Sequence, residues 1–83
     1  MNSIEDSKPV LILSNPNNGL FEIEFNDTQL KLIRIYDIIG KLVYSNYTSE
    51  QNKKIEIQDV KIGLYTMLIE SNNSISKHKI VIE

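Results

Sequence analysis

Apolar and polar residues alternate along most of this chain with a period of two. The clearest case is "LFEIEF", residues 20–25: Phe21, Ile23 and Phe25 point one way, Glu22 and Glu24 the other, as a half-buried antiparallel strand requires. "LKLIRIYD" (30–37) puts Ile33 and Ile35 on one face with Lys31, against Leu32, Arg34 and Tyr36 on the other. A strand apolar on both faces belongs in the middle of a sheet. "KIEIQ" (54–58) turns Ile55 and Ile57 inward, and "LYTMLIES" (64–71) gives Tyr65, Met67 and Ile69 a shared face. "VLIL" (10–13), "KLVYSNY" (41–47) and "ISKHKIVIE" (75–83) bring the expected strands to about seven.

The turns between them are written in ordinary turn chemistry. "SNPNNG" (14–19) is the strongest: Pro16 fixes φ, the asparagines bond nearby backbone, and Gly19 accepts φ > 0. In "DIIG" (37–40), Asp37 can accept backbone N–H bonds as an Asx turn does, while Gly40 supplies an angle other residues resist. That turn is expected to close a hairpin between two core strands, the third and the fourth. Gly63 and Tyr65 follow a similar turn in "DVKIGLY" (59–65). "NDT" (26–28) and "NNS" (72–74) turn the chain elsewhere, and "TSEQNK" (48–53) reads as a polar loop. "DTQLKLIRIYDIIGKL" could be drawn as a helix, but its β-branched residues and Gly40 oppose that. The expected fold is all-β: an immunoglobulin-like antiparallel sandwich of about seven short strands. Tyr65, at the start of the penultimate strand, occupies the place of a tyrosine corner, whose hydroxyl bonds back to upstream backbone.

Composition narrows the function classes. With 83 residues the chain makes one domain, expected over residues 10–83, after a polar linker or frayed N-terminus at 1–9. Its hydrophobic content of 41% and charged content of 24% are ordinary globular values. A net charge of −2 gives no electrostatic footprint for nucleic acid or an anionic membrane. No apolar run approaches the ~20 residues of a membrane helix, so membrane insertion is not expected. The absence of cysteine removes disulfides and thiolate metal sites.

Candidate chemistry is thin. His78, the single histidine, lacks a recognisable nucleophile and orienting acid, and reads as a solvated strand residue. The three glycines stand 21 and 23 residues apart, which leaves no phosphate loop. "NPNNG" has oxygens but not the alternating acids of a calcium loop. No catalytic residue, metal or cofactor is expected, and the chain reads as something other than an enzyme.

Three turn motifs then fall in order: "NPNNG", "IYDIIGKLV" and "DVKIGLY", followed by a terminal "KHKIVIE". Together they resemble the C-terminal sorting domain, most like type A, of proteins exported by the type IX secretion system of Bacteroidetes-type bacteria. The resemblance runs from Val10 to Glu83. Ser14 departs from it, standing where the family usually has a first proline, as do His78, in a stretch often made of two lysines, and Glu83 in place of a lysine. By this resemblance the sorting motif comprises Pro16, Gly19, Asp37, Gly40, Gly63, Tyr65, Lys77 and Lys79. Holding the folded surface is the expected role of the first six. The resemblance implies a domain fused behind a larger cargo protein, exported by way of the periplasm to the cell surface or medium. Its implied partners are the outer-membrane secretion machinery and a sortase-like peptidase that removes the domain. The last strand, as an edge, would offer backbone groups for strand addition, and exposed edges also invite strand-mediated self-association.

Another reading is an immunoglobulin- or fibronectin-like accessory module of an exported protein, serving as a spacer or carbohydrate-binding unit. Composition and strand count suit it equally. Tyr36, Tyr44 and Tyr47 would be its candidate sugar platform, although packing is the better use for them.

Overall fold

The computed structural model describes residues 10–14, 18–72 and 74–83. Those residues form strands and turns, with no helix among them. In chain order the strands are β1 (Val10–Leu13), β2 (Leu20–Phe25), β3 (Lys31–Tyr36), β4 (Leu42–Thr48), β5 (Asn52–Glu56), β6 (Gly63–Ser71) and β7 (Ser74–Ile82). They make two antiparallel sheets, one ordered β1-β2-β5 and the other β4-β3-β6-β7. The chain crosses between sheets after β2, β4 and β5, so each sheet mixes strands distant in sequence.

The alternation seen in the sequence sets which faces meet. Phe21, Ile23 and Phe25 of β2 and Ile55 of β5 join Ile33, Ile35, Tyr65, Met67, Ile69, Ile80 and Ile82 of the second sheet in one core cluster. Ile23, Ile33, Ile35, Ile55, Met67 and Ile80 are completely enclosed. Such β-branched and flexible side chains suit a thin interlayer core, where each pleat offers one inward position in two. β3 lies between β4 and β6, as its two apolar faces predict. Lys31 shares the inner face with Ile33 and Ile35 and is buried. Its amine donates to Asp27 Oδ1 and, at 2.7 Å, to the Gln29 carbonyl, and sits 4.6 Å from the centre of the Phe25 ring. A buried ammonium persists only with such partners.

Two expectations shift. β5 begins at Asn52, inside the stretch read as a polar loop, because Asn52 and Lys53 pair through backbone with Glu24 and Ile23. Backbone pairing at an edge strand is indifferent to side-chain polarity, so alternation alone does not find it. The strand also stops at Glu56; Ile57 is still buried, but its N–H leaves the ladder and donates to the Gly19 carbonyl at 2.8 Å. Second, β4 is an edge strand with largely exposed side chains. The register slips between Ile35 and Tyr36, which pair with Tyr44 and Leu42, and Val43 is the extra residue. This bulge lets both Val43 and Tyr44 pack against the core.

Candidate functional site

The motif residues divide between three turns and the edge strand β7. Pro16 and residues 1–9, the expected linker, lie outside the described residues, as does Asn73 of the "NNS" turn. Gly19, in the first turn, has φ +104°, and a Cβ there would stand 2.8 Å from Val60 Cγ1 and 3.3 Å from the Ile57 carbonyl oxygen. Glycine is therefore required twice, by its backbone angle and by the approach of the β5–β6 connection. Ser14, at the end of β1, carries φ +67°.

The second turn is built around one carboxylate. Asp37 Oδ1 accepts from the N–H of Ile39 at 3.1 Å and of Lys41 at 2.8 Å. The Asp37 N–H donates to the Lys41 carbonyl at 2.9 Å, and its own carbonyl accepts from Gly40 N–H at 3.0 Å. Gly40 takes φ +89° with open space around it. The Asx turn predicted from "DIIG" is thus formed, with an additional bond to Lys41 that closes the hairpin.

The third turn is anchored from β6. Tyr65 is buried, and its hydroxyl donates to the Lys61 carbonyl at 2.7 Å while accepting from the Lys61 N–H at 3.2 Å. This is the tyrosine corner expected from the sequence. Asp59, at φ +53°, takes the tight left-handed angle in this loop, and Gly63 opens β6 opposite Ile82.

These turns, far apart in sequence, meet at one end of the sandwich. Gly19 touches Ile57 and Val60, which lead into the third turn. Tyr36, which ends β3, pairs with Thr66 near the start of β6, so the second and third turns are neighbours. Lys79 pairs with Thr66 and Lys77 with Leu68, which places both lysines on the outer face of β7, exposed at the sheet edge.

His78 is not the solvated residue expected. It has the parity of Ile80 and Ile82 and pairs with the enclosed Met67, so it faces the interlayer side and is half-buried. Its Nε2 lies 3.0 Å from the Ser76 hydroxyl, and burial pushes the imidazole pKa below its ordinary value. The tyrosine platform is divided too: Tyr44 packs on the core side, while Tyr47 lies opposite Leu32 on the outer face. An open hollow of about 220 Å³ at the other end of this sheet is lined by Leu30, Leu32, Tyr47 and the β6–β7 hairpin. Its two charged groups are already engaged, Lys31 with Asp27 and Glu70 with Arg34 at 2.7 Å. Among the described residues no cluster of histidine and carboxylate groups is suited to hold a metal.

The sequence reading missed Ser14 and Asp59, whose left-handed angles carry no local signature beyond a small polar residue. It also left aside Ile38, Ile39 and Ile62, which are 79%, 83% and 81% exposed. Their signal was available: isoleucine inside a turn motif has no strand face to bury it.

The architecture defines a small immunoglobulin-like sandwich in which the motif residues Asp37 and Tyr65 hold the second and third turns by hydrogen bonds. The chain belongs to the family of secretion system C-terminal sorting domains, whose sequence profile matches residues 12–83. No curated protein matches it. Membership makes this a type IX secretion signal, a domain that accompanies upstream cargo and engages the secretion machinery for export to the surface or extracellular space.

Proposed function

We propose that this domain delivers its cargo from the periplasm to the outer-membrane machinery and is then cut away by a sortase-like peptidase. The carrying observation is the family match over nearly the whole sandwich. Cleavage falls upstream of β1, in the polar segment 1–9, because the strands themselves are hydrogen-bonded and closed to a protease. In this reading Pro16, Gly19, Asp37, Gly40, Gly63 and Tyr65 hold the folded surface that is recognised. Lys77 and Lys79 present their side chains on the outer face of β7, the last strand of the four-stranded sheet among the described residues, and this strand is the one the machinery contacts.

The test is a fluorescent cargo carrying an inner-membrane signal peptide and ending in this chain, produced in a bacterium with a working type IX system. Mass spectrometry of exported cargo is expected to find a C-terminus before Val10. Exported cargo that keeps the sandwich contradicts removal. The edge is tested by Lys77→Glu with Lys79→Glu, since truncating β7 also removes core residues Ile80 and Ile82. Loss of export with an unchanged melting curve is expected; undiminished export contradicts recognition there.

A further inference from the structure

Single exposed apolar side chains are ordinary, but a contiguous group of them marks an interaction surface. Here Ile38 and Ile39 sit at the apex of the β3–β4 turn, and Ile62 ends the β5–β6 connection, all of them about four-fifths exposed. The pairing of Tyr36 with Thr66 puts the two loops side by side at one end of the four-stranded sheet. Leu42 and Leu64, each nearly half exposed, continue the apolar surface from the apex onto the strands.

Both loops are pinned by motif residues. Asp37 Oδ1 binds the amides of Ile39 and Lys41, and the Tyr65 hydroxyl binds both backbone groups of Lys61, the neighbour of Ile62. The isoleucines are therefore presented on a fixed backbone, which reduces the ordering cost of a contact. Folding alone gains nothing from exposing them.

We infer that this tip, Ile38, Ile39 and Ile62, inserts into an apolar groove of a protein partner whose rim is polar and of mixed sign. Charge and size argue for that occupant. Lys41 and Lys61 stand at the same end as Asp37, Asp59 and Glu83, two cations against three carboxylates, so the tip has no positive field to draw it to an anionic lipid surface. Neither loop carries a Trp or Tyr of its own, the nearby Tyr36 lying on β3 rather than at the apex where a membrane-interface anchor would stand. Two tips meeting end to end would bury far less than the ~1,200–2,000 Å² of a stable pair, which disfavours a second copy. A concave groove enclosing a small rigid apex makes a brief, releasable contact ringed by polar groups. Such a contact suits a signal that must let go.

This inference rests on the sorting reading, with the groove belonging to the secretion machinery. The experiment compares the cargo fusion carrying the native tip with one carrying Ile38→Ser, Ile39→Ser and Ile62→Ser. The melting curves of the two purified domains are expected to coincide, because these side chains have little burial to lose. Exported cargo is expected to fall roughly tenfold or more, the scale of losing anchoring side chains. Equal export of both fusions overturns the tip as a docking site and leaves the sorting reading standing. Failure of the native fusion to be exported overturns both. If the triple variant melts early, Ile38→Ser alone replaces it, and undiminished export of that variant is likewise contrary. Co-sedimentation of the native domain with phosphatidylglycerol–phosphatidylethanolamine vesicles, lost in the variant, overturns the protein groove in favour of lipid.

Discussion

The Tyr65 side chain and the Lys61 backbone exchange two hydrogen bonds, one given at 2.7 Å and one received at 3.2 Å. This exchange fixes the β5–β6 connection to the start of β6, and with it the end of the sandwich where the motif turns gather. Tyr65→Phe keeps the ring in the core but strands both Lys61 groups. The expected cost is about 1–2 kcal/mol. At ~4–8 °C per kcal/mol for a domain of this size, thermal unfolding followed by circular dichroism resolves it easily.

Gly19 and Gly40 separate two reasons for glycine. Both have positive φ, but only Gly19 has Val60 Cγ1 where a Cβ would go. Gly40→Ala should cost on the order of 1–2 kcal/mol, the torsional strain alone. Gly19→Ala should cost on the order of 2–5 kcal/mol, since crowding adds to the torsion. Adding Val60→Ala should recover part of the second loss and none of the first. Equal costs at the two glycines would contradict the crowding.

Ser14 offers a test that runs against the family pattern. Proline is usual at this place, yet Ser14 has φ +67°, and proline is held near −65°. Ser14→Pro, although it restores the pattern, should destabilise the domain by about 1–3 kcal/mol. Ser14→Gly should be neutral or stabilising by up to ~1 kcal/mol. Chemical denaturation of the two variants decides the matter.

Much of the fold was legible because alternation and burial agree. Phe21, Ile23 and Phe25 could be assigned inward from their spacing alone, and Tyr65 and Asp37 from turn chemistry. The start of β5 at Asn52 was not, since its pairing is carried by backbone. His78 was misread for a different reason: its polarity suggested solvent, but its parity with Ile80 and Ile82 already placed it inward. At the site, the sequence marked the residues that pin the turns and passed over the isoleucines they present. Turn chemistry accounts for Asp37 and Gly40 without reference to Ile38 and Ile39 between them, whose exposure follows from having no strand face to bury them.

The position of His78 makes stability depend on pH in one direction. Its pKa is lowered by burial, so the unfolded chain binds the proton more readily. The stability it permits is fully present above the ordinary value of about 6.5 and is lost as pH falls through the lowered folded value. Denaturant midpoints at pH 7.5 and 5.5 should show the native domain weaker at the lower pH. His78→Gln should flatten the difference, there being no other histidine to titrate in that window. A native domain equally stable at both values would contradict the inward placement.

The most direct measurement is the destination of a fluorescent cargo ending in this chain, compared between a strain with an intact type IX system and one lacking it. The sorting account predicts cargo on the surface or in the medium of the intact strain alone, with the deficient strain holding it in the periplasm. Cargo retained in the periplasm of both strains would contradict it and return the sandwich to the role of a spacer or binding module.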